Sequence, residues 1–98
     1  MKSLKRISKL INKLHTEADI ESFFKELLTE SEIETLSKRW QILNMLAQGS
    51  TQREIAKELQ VSLCKVTRGA KILKNKNSVL AKYIKGDNNE NNKQIQNN

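Results

Sequence analysis

The chain has 98 residues, no proline, three glycines, one cysteine and a formal charge of +7. This length fits one domain. The lone Cys64 excludes an intrachain disulfide and a cysteine-based zinc site, and no window approaches the ~20 apolar residues needed to cross a bilayer.

Apolar residues make up 37% of the chain, which is lean for a packed core. Small domains of this kind are often completed by oligomerisation. The charge is segregated. Residues 1–15 carry five cations and no acid, residues 16–36 seven acids and one cation, and residues 37–85 eleven cations and two acids. Two basic blocks around an acidic one point the cations at a polyanion. The N-terminus "MKSLKRISKLINKL" is basic but lacks an unbroken apolar stretch, so it is no secretory signal. Its apolar stripe is short and has no aromatic, so no membrane role is expected. The cytoplasm is the expected compartment.

Helix formers dominate, and the expected fold class is all-α. Leu4, Ile7, Ile11 and Leu14 recur at helical spacing and predict a first helix over about 3–15. Thr16 opens a second through "EADIESFFKELL", with Ile20, Phe23, Phe24, Leu27 and Leu28 inward. Thr29 with Glu32 fits a capping box, which starts the longest helix, about 31–48. Ile33, Leu36, Trp40, Leu43 and Ala47 form one stripe on it, and Ile42, Met45 and Leu46 a second. Two stripes require burial on two sides, the second against another subunit. Gly49 is placed to end this helix in a left-handed conformation.

Thr51 with Glu54 is another capping box, opening a helix over about 52–59. Ser62 caps the next, about 63–74. A last helix over about 78–85 carries Val79, Leu80, Tyr83 and Ile84 and is closed by Gly86. Residues 1–86 therefore read as one helical domain. Residues 87–98 read as a disordered, asparagine-rich tail that cannot offset its ordering entropy.

The segment 51–74 has the pattern of a helix-turn-helix. Ile55, Ala56, Leu59, Val61 and Val66 fall at its internal contacts, with Val61 plugging the turn. Leu63, Cys64, Lys65, Thr67, Arg68 and Lys71 remain outward on the second helix. That face suits a major groove, with cations for phosphates and short side chains for base edges. The helix start at Ser62 offers free amides to phosphate. Gln60 stands where such turns usually carry glycine, a left-handed position that costs a non-glycine residue ~1 kcal/mol.

These residues resemble the bacterial tryptophan repressor family. The resemblance is carried by "LLTESEIETLSKRWQILNMLAQG" and "TQREIAKELQVSLCKVTRGAKILK", above all by "LT" at 28–29, Arg39 in mid-helix, "QRE" at 52–54 and "TRG" at 67–69. It covers residues 28–74 well and the flanking helices in pattern only. It implies an intertwined homodimer of about six helices per chain that binds double-stranded operator DNA as a repressor, with L-tryptophan as corepressor. Arg39 and Arg68 would flank the indole, and Arg68 would pair with the ligand carboxylate, a bidentate task unsuited to lysine. Thr29 would help hold that carboxylate, the backbone around Leu28 would accept from the ammonium, and Gly69 would leave space beside the ring. For DNA the resemblance points to Gln52, Arg53, Leu63, Cys64, Lys65, Thr67 and Lys74.

Two positions depart from the family pattern. Ile72 stands where a serine usually lies near the ligand ammonium, so a different indole ligand, or none, is the competing reading. Between Gly49 and Gln52 the chain is one residue shorter than the best-known members.

Other readings of single residues stay open at this point. Arg39 could pair with Glu32 or Glu34, and Arg68 could contact phosphate. Trp40, Phe23 and Phe24 are expected in the core or a subunit interface rather than stacked on bases. His15 fits a helix-end dipole contact. No nucleophile–base pair, glycine-rich phosphate loop or metal-ligand cluster is present, so neither catalysis nor a metal is expected.

Overall fold

The computed structural model describes residues 2–84, and among them every regular element is helical. The order is α1 (Lys2–Lys13), α2 (Glu17–Leu27), α3 (Glu30–Ala47), α4 (Gln52–Leu59) and α5 (Leu63–Lys74). A sixth helical stretch, α6, covers 79–84. The closing role expected of Gly86 and the disorder expected of 87–98 lie outside the described residues. The chain divides into two compact units, Met1–Thr35 and Leu36–Asn98.

The helix ends follow the local chemistry expected of them. Thr16 accepts from the Asp19 amide and caps α2. At the start of α3 the Thr29 amide donates to Glu32 Oε1 at 2.9 Å, and the Glu32 amide donates to Thr29 Oγ1 at 3.2 Å. These two bonds satisfy orphan donors reciprocally. They also hold the Glu32 carboxyl below the usual glutamate range, chiefly through the backbone bond from Thr29. Thr51 and Glu54 repeat the box at α4, and Ser62 caps α5 through the Lys65 amide.

Helix ends that turn sharply do so at left-handed residues. Gly49 has φ +99°. Its amide donates to Leu46 O at 3.1 Å and the Ser50 amide donates to Met45 O at 3.0 Å, the paired bonds of a Schellman motif. Gln60 has φ 55° and ψ 48°, so the glycine-like position in the turn is left-handed despite its side chain. The Val61 amide then reaches back to Ala56 O at 3.1 Å, which stops α4 and aims the chain at Ser62.

The first unit holds α1, α2 and the start of α3. Neither α1 nor α2 contains a buried residue. Ile7, Ile11, Leu14, Ile20, Phe23 and Phe24 are half-buried, while Leu4, Leu10 and Leu27 are exposed. Phe23 and Phe24 meet edge to face at 5.5 Å. Glu21 and Lys25 form an exposed ion pair one helical turn apart, a contact worth little to stability.

The second unit has a true core in two clusters. Ile42, Ile55 and Val66 form one, with Met45, Leu46, Ala56, Leu59 and Val61 against it. All five residues expected inside the helix-turn-helix are therefore there, and α4 packs on α5. Leu43, Leu73, Ala81 and Ile84 form the other cluster, with Leu46, Ala47 and Ile72 beside it. Ile55, Val66 and Ile84 are fully buried, each contributing roughly 1.5–3 kcal/mol through removal from water.

Two expectations of the stripes differ from what the fold does. On α3, Leu43 is buried but Leu36 and Trp40 of the same stripe remain 44% and 45% exposed. On α6, the inward face is Ala81 and Ile84, while Val79, Leu80 and Tyr83 are exposed. Only three or four positions per two turns can face a neighbouring helix, and here α5 takes Ala81 and Ile84.

Candidate functional site

The second unit contains a recess of about 250 Å³ lined by Arg39, Ile42, Leu43, Lys65, Arg68, Gly69, Ile72 and Leu80. Its geometry follows from helical spacing. Arg39, Ile42 and Leu43 lie at i, i+3 and i+4 on α3, so they share a face. Lys65, Arg68, Gly69 and Ile72 do the same on α5. Leu80 of α6 adds a further apolar wall.

Gly69 is what lets the two helices approach. It is buried in α5. A Cβ built on it would meet Ile42 Cγ2 at 3.0 Å, Leu46 Cδ1 at 3.3 Å and Leu43 Cδ2 at 3.4 Å. The open space at Gly69 is thus filled by α3 side chains on one side, while the residue also borders the recess.

The recess is apolar in its floor and cationic at its rim. Ile42 and Leu43 are buried and Ile72 is half-buried, whereas Arg39, Lys65 and Arg68 are exposed. Within this unit neither guanidinium has an ion-pair partner among the described residues. Two unpaired guanidiniums over an apolar floor can take a planar apolar body with an anionic arm, because an Arg fork matches a carboxylate in two parallel bonds.

Of the residues expected to hold a ligand, the recess brings together Arg39, Arg68 and Gly69. Leu28 and Thr29 belong to the first unit, where Leu28 ends α2 by donating to Phe24 O at 2.9 Å and Thr29 caps α3. Lys65, expected on the DNA side, also lines the recess. Sequence reasoning did not anticipate Ile42, Leu43 or Leu80 there. The helical register relative to Arg39 could have found the first two. No local signal points to Leu80, which arrives from a separate helix.

The residues expected to meet nucleic acid lie on α4 and α5. Arg53, Leu63, Cys64, Lys65 and Lys74 are exposed. Gln52 and Thr67 are half-buried and engage each other: Thr67 Oγ1 donates to Gln52 Oε1 at 2.8 Å. Thr67 Oγ1 also lies 3.0 Å from Leu63 O. This bond ties the first turn of α4 to the middle of α5 and so fixes the angle at which α5 is presented. Arg53, Lys57, Lys65, Lys71 and Lys74 give the α4–α5 pair an exposed basic surface, interrupted by Glu54 and Glu58.

No group of three or more His, Cys, Asp or Glu side chains among the described residues is arranged to hold a metal. None of the described helices is long and apolar enough to cross a membrane.

Comparison with known proteins agrees with this geometry. No solved structure matches the chain significantly. A Trp operon repressor homolog of Xylella fastidiosa (strain M23) is 39% identical over 70 residues, covering 70% of this chain and 76% of the relative. One from Chlamydia caviae is 39% identical over 66 residues, covering 66% of this chain and 65% of the relative. One from Chlamydia trachomatis serovar D is 36% identical over 66 residues, covering 66% and 70%. The family model described as Trp repressor protein matches residues 2–88, and the chain, an all-helical regulator of repressor type, belongs to that family.

Proposed function

We propose that the chain represses transcription by binding operator DNA as a homodimer, with an indole-bearing carboxylate of the L-tryptophan class as corepressor. In this reading α5 is the recognition helix. Its N-terminal residues Leu63, Cys64 and Lys65 meet base edges, while Arg53 and Lys74 neutralise phosphates. Two copies would present their α5 helices to successive major grooves, about 34–36 Å apart.

The observation that carries this reading is the double use of α5. Arg68, Gly69 and Ile72 border the recess, while Leu63, Cys64 and Lys71 of the same helix are exposed. A molecule wedged between α3 and α5 therefore acts on the helix that reads DNA. It shifts the population toward the DNA-binding arrangement by its differential affinity for that arrangement. Arg68 supplies the bidentate anchor for the ligand carboxylate, and Arg39 closes over the ring from α3.

The test is binding of the full chain to duplex DNA from its own upstream region, with and without L-tryptophan, across a salt series. The reading expects affinity to fall steeply with salt, because several phosphates are neutralised, and to rise when ligand is added. Arg68→Ala should remove the ligand response. Equal DNA affinity with and without any indole carboxylate would leave a helix-turn-helix regulator without a small ligand. Binding to no duplex at all would overturn the DNA reading itself.

A further inference from the structure

We infer that the recess selects an aromatic carboxylate that carries no ammonium group, in preference to the zwitterionic amino acid. This rests on the ligand-gated reading above and narrows it to one chemical class.

The argument is the inventory of the walls. The eight lining residues are three cations, four aliphatic residues and one glycine. None is a carboxylate, a hydroxyl or a side-chain amide, so no lining side chain can accept a hydrogen bond from an ammonium. Backbone acceptors do not fill the gap. Every lining residue sits inside a helix, where carbonyls are taken up by the helix's own ladder. The Ile72 carbonyl, nearest a helix end, accepts from the Asn75 amide at 3.2 Å.

Charge points the same way. A ligand carboxylate meets Arg39, Lys65 and Arg68, and each favours it. A ligand ammonium meets the same three cations, and each opposes it. Ile72 is half-buried and packed on the Leu43–Leu73–Ala81–Ile84 cluster, so its aliphatic side chain is held at the recess and cannot swing away to admit water. The recess volume of about 250 Å³ is just below the roughly 300–1,000 Å³ of ordinary small-molecule sites. One bicyclic ring with a short acid arm is the appropriate size.

Calorimetry on the full chain with three probes tests this: indole-3-propionate, L-tryptophan and tryptamine. The first has the acid alone, the second both groups, the third the amine alone. The expected order is indole-3-propionate tightest, L-tryptophan weaker by about tenfold or more, and tryptamine without detectable binding. Ile72→Thr keeps a branched side chain and adds a hydroxyl acceptor, and it should narrow the gap between the first two probes. L-tryptophan binding as tightly as indole-3-propionate, or an unchanged gap in a folded Ile72→Thr protein, overturns the inference and leaves the gated repressor standing. If none of the three binds while DNA binding persists, the ligand-gated reading falls, and the inference with it.

Discussion

The two units of this chain carry similar helices but very different interiors. In the second, Ile55, Val66 and Ile84 are fully sealed from solvent. In the first, neither α1 nor α2 has a buried residue. Yet α1 and α2 are patterned as clearly as α4 and α5, with apolar side chains at helical spacing along one face. Amphipathic patterning is therefore not the same thing as a core. A stripe becomes a core only when another stripe covers it. The second unit supplies its own cover by folding α4, α5 and α6 onto the end of α3. The first unit presents Ile7, Ile11, Leu14, Ile20, Phe23 and Phe24 only half covered, which matches the expectation of a dimer whose second copy completes it.

The contrast can be broken by truncating one residue in each unit. Ile55→Ala opens a cavity in a sealed cluster and should cost about 2–5 kcal/mol. Its midpoint in urea should fall by the same amount at every protein concentration. Phe23→Ala should cost about 1–3 kcal/mol, because its ring is only half buried in one chain and the remainder depends on a partner. Its thermal midpoint should rise with protein concentration, since association stabilises by mass action. Dilution-independent midpoints for wild type and Phe23→Ala alike would show that the first unit needs no second copy.

A smaller effect sharpens the comparison at the turn between α4 and α5. Gln60→Gly should stabilise the protein by about 0.5–1 kcal/mol, since a left-handed residue with a Cβ is strained and glycine is not. Thermal unfolding measures it. Because the turn belongs to the well-packed unit, the gain should appear in the full cooperative transition.

The smallest effect concerns the α3 cap. The Glu32 carboxyl is held below its ordinary range by Thr29. A carboxyl whose folded pKa is depressed contributes stability above its unfolded pKa and loses it as pH falls through the folded value. Glu32→Gln should therefore flatten the acid limb of the stability profile below the ordinary carboxylate range and change little at neutral pH. An acid limb identical in the two proteins would mean that the cap does not set it.

Much of this molecule was legible in its residues. The Thr29–Glu32 and Thr51–Glu54 boxes, the Ser62 cap, the left-handed Gly49 and the left-handed Gln60 all involve partners within five positions along the chain. Short-range hydrogen bonds leave their mark in short stretches of sequence. The inward set of the helix-turn-helix was equally legible, because a three-residue connection allows the two helices few arrangements. The candidate site was legible only in part. Arg39, Arg68 and Gly69 were expected together, and they line one recess.

Tertiary packing decided the rest. It joined Thr67 to Gln52 in a hydrogen bond, made Ala81 and Ile84 rather than Val79 and Tyr83 the inward face of α6, and brought Leu80 and Lys65 to the recess. It also set Gly69 against Ile42, Leu43 and Leu46, so that the glycine spaces the helices as well as bordering the ligand site. Periodicity specifies that a helix has an apolar face, but which neighbour meets that face depends on the angles at which helices cross. Those angles are set by side-chain ridges and grooves far apart in sequence. The residues alone determined the helices and their ends, and packing between distant helices decided which side chains share a cavity.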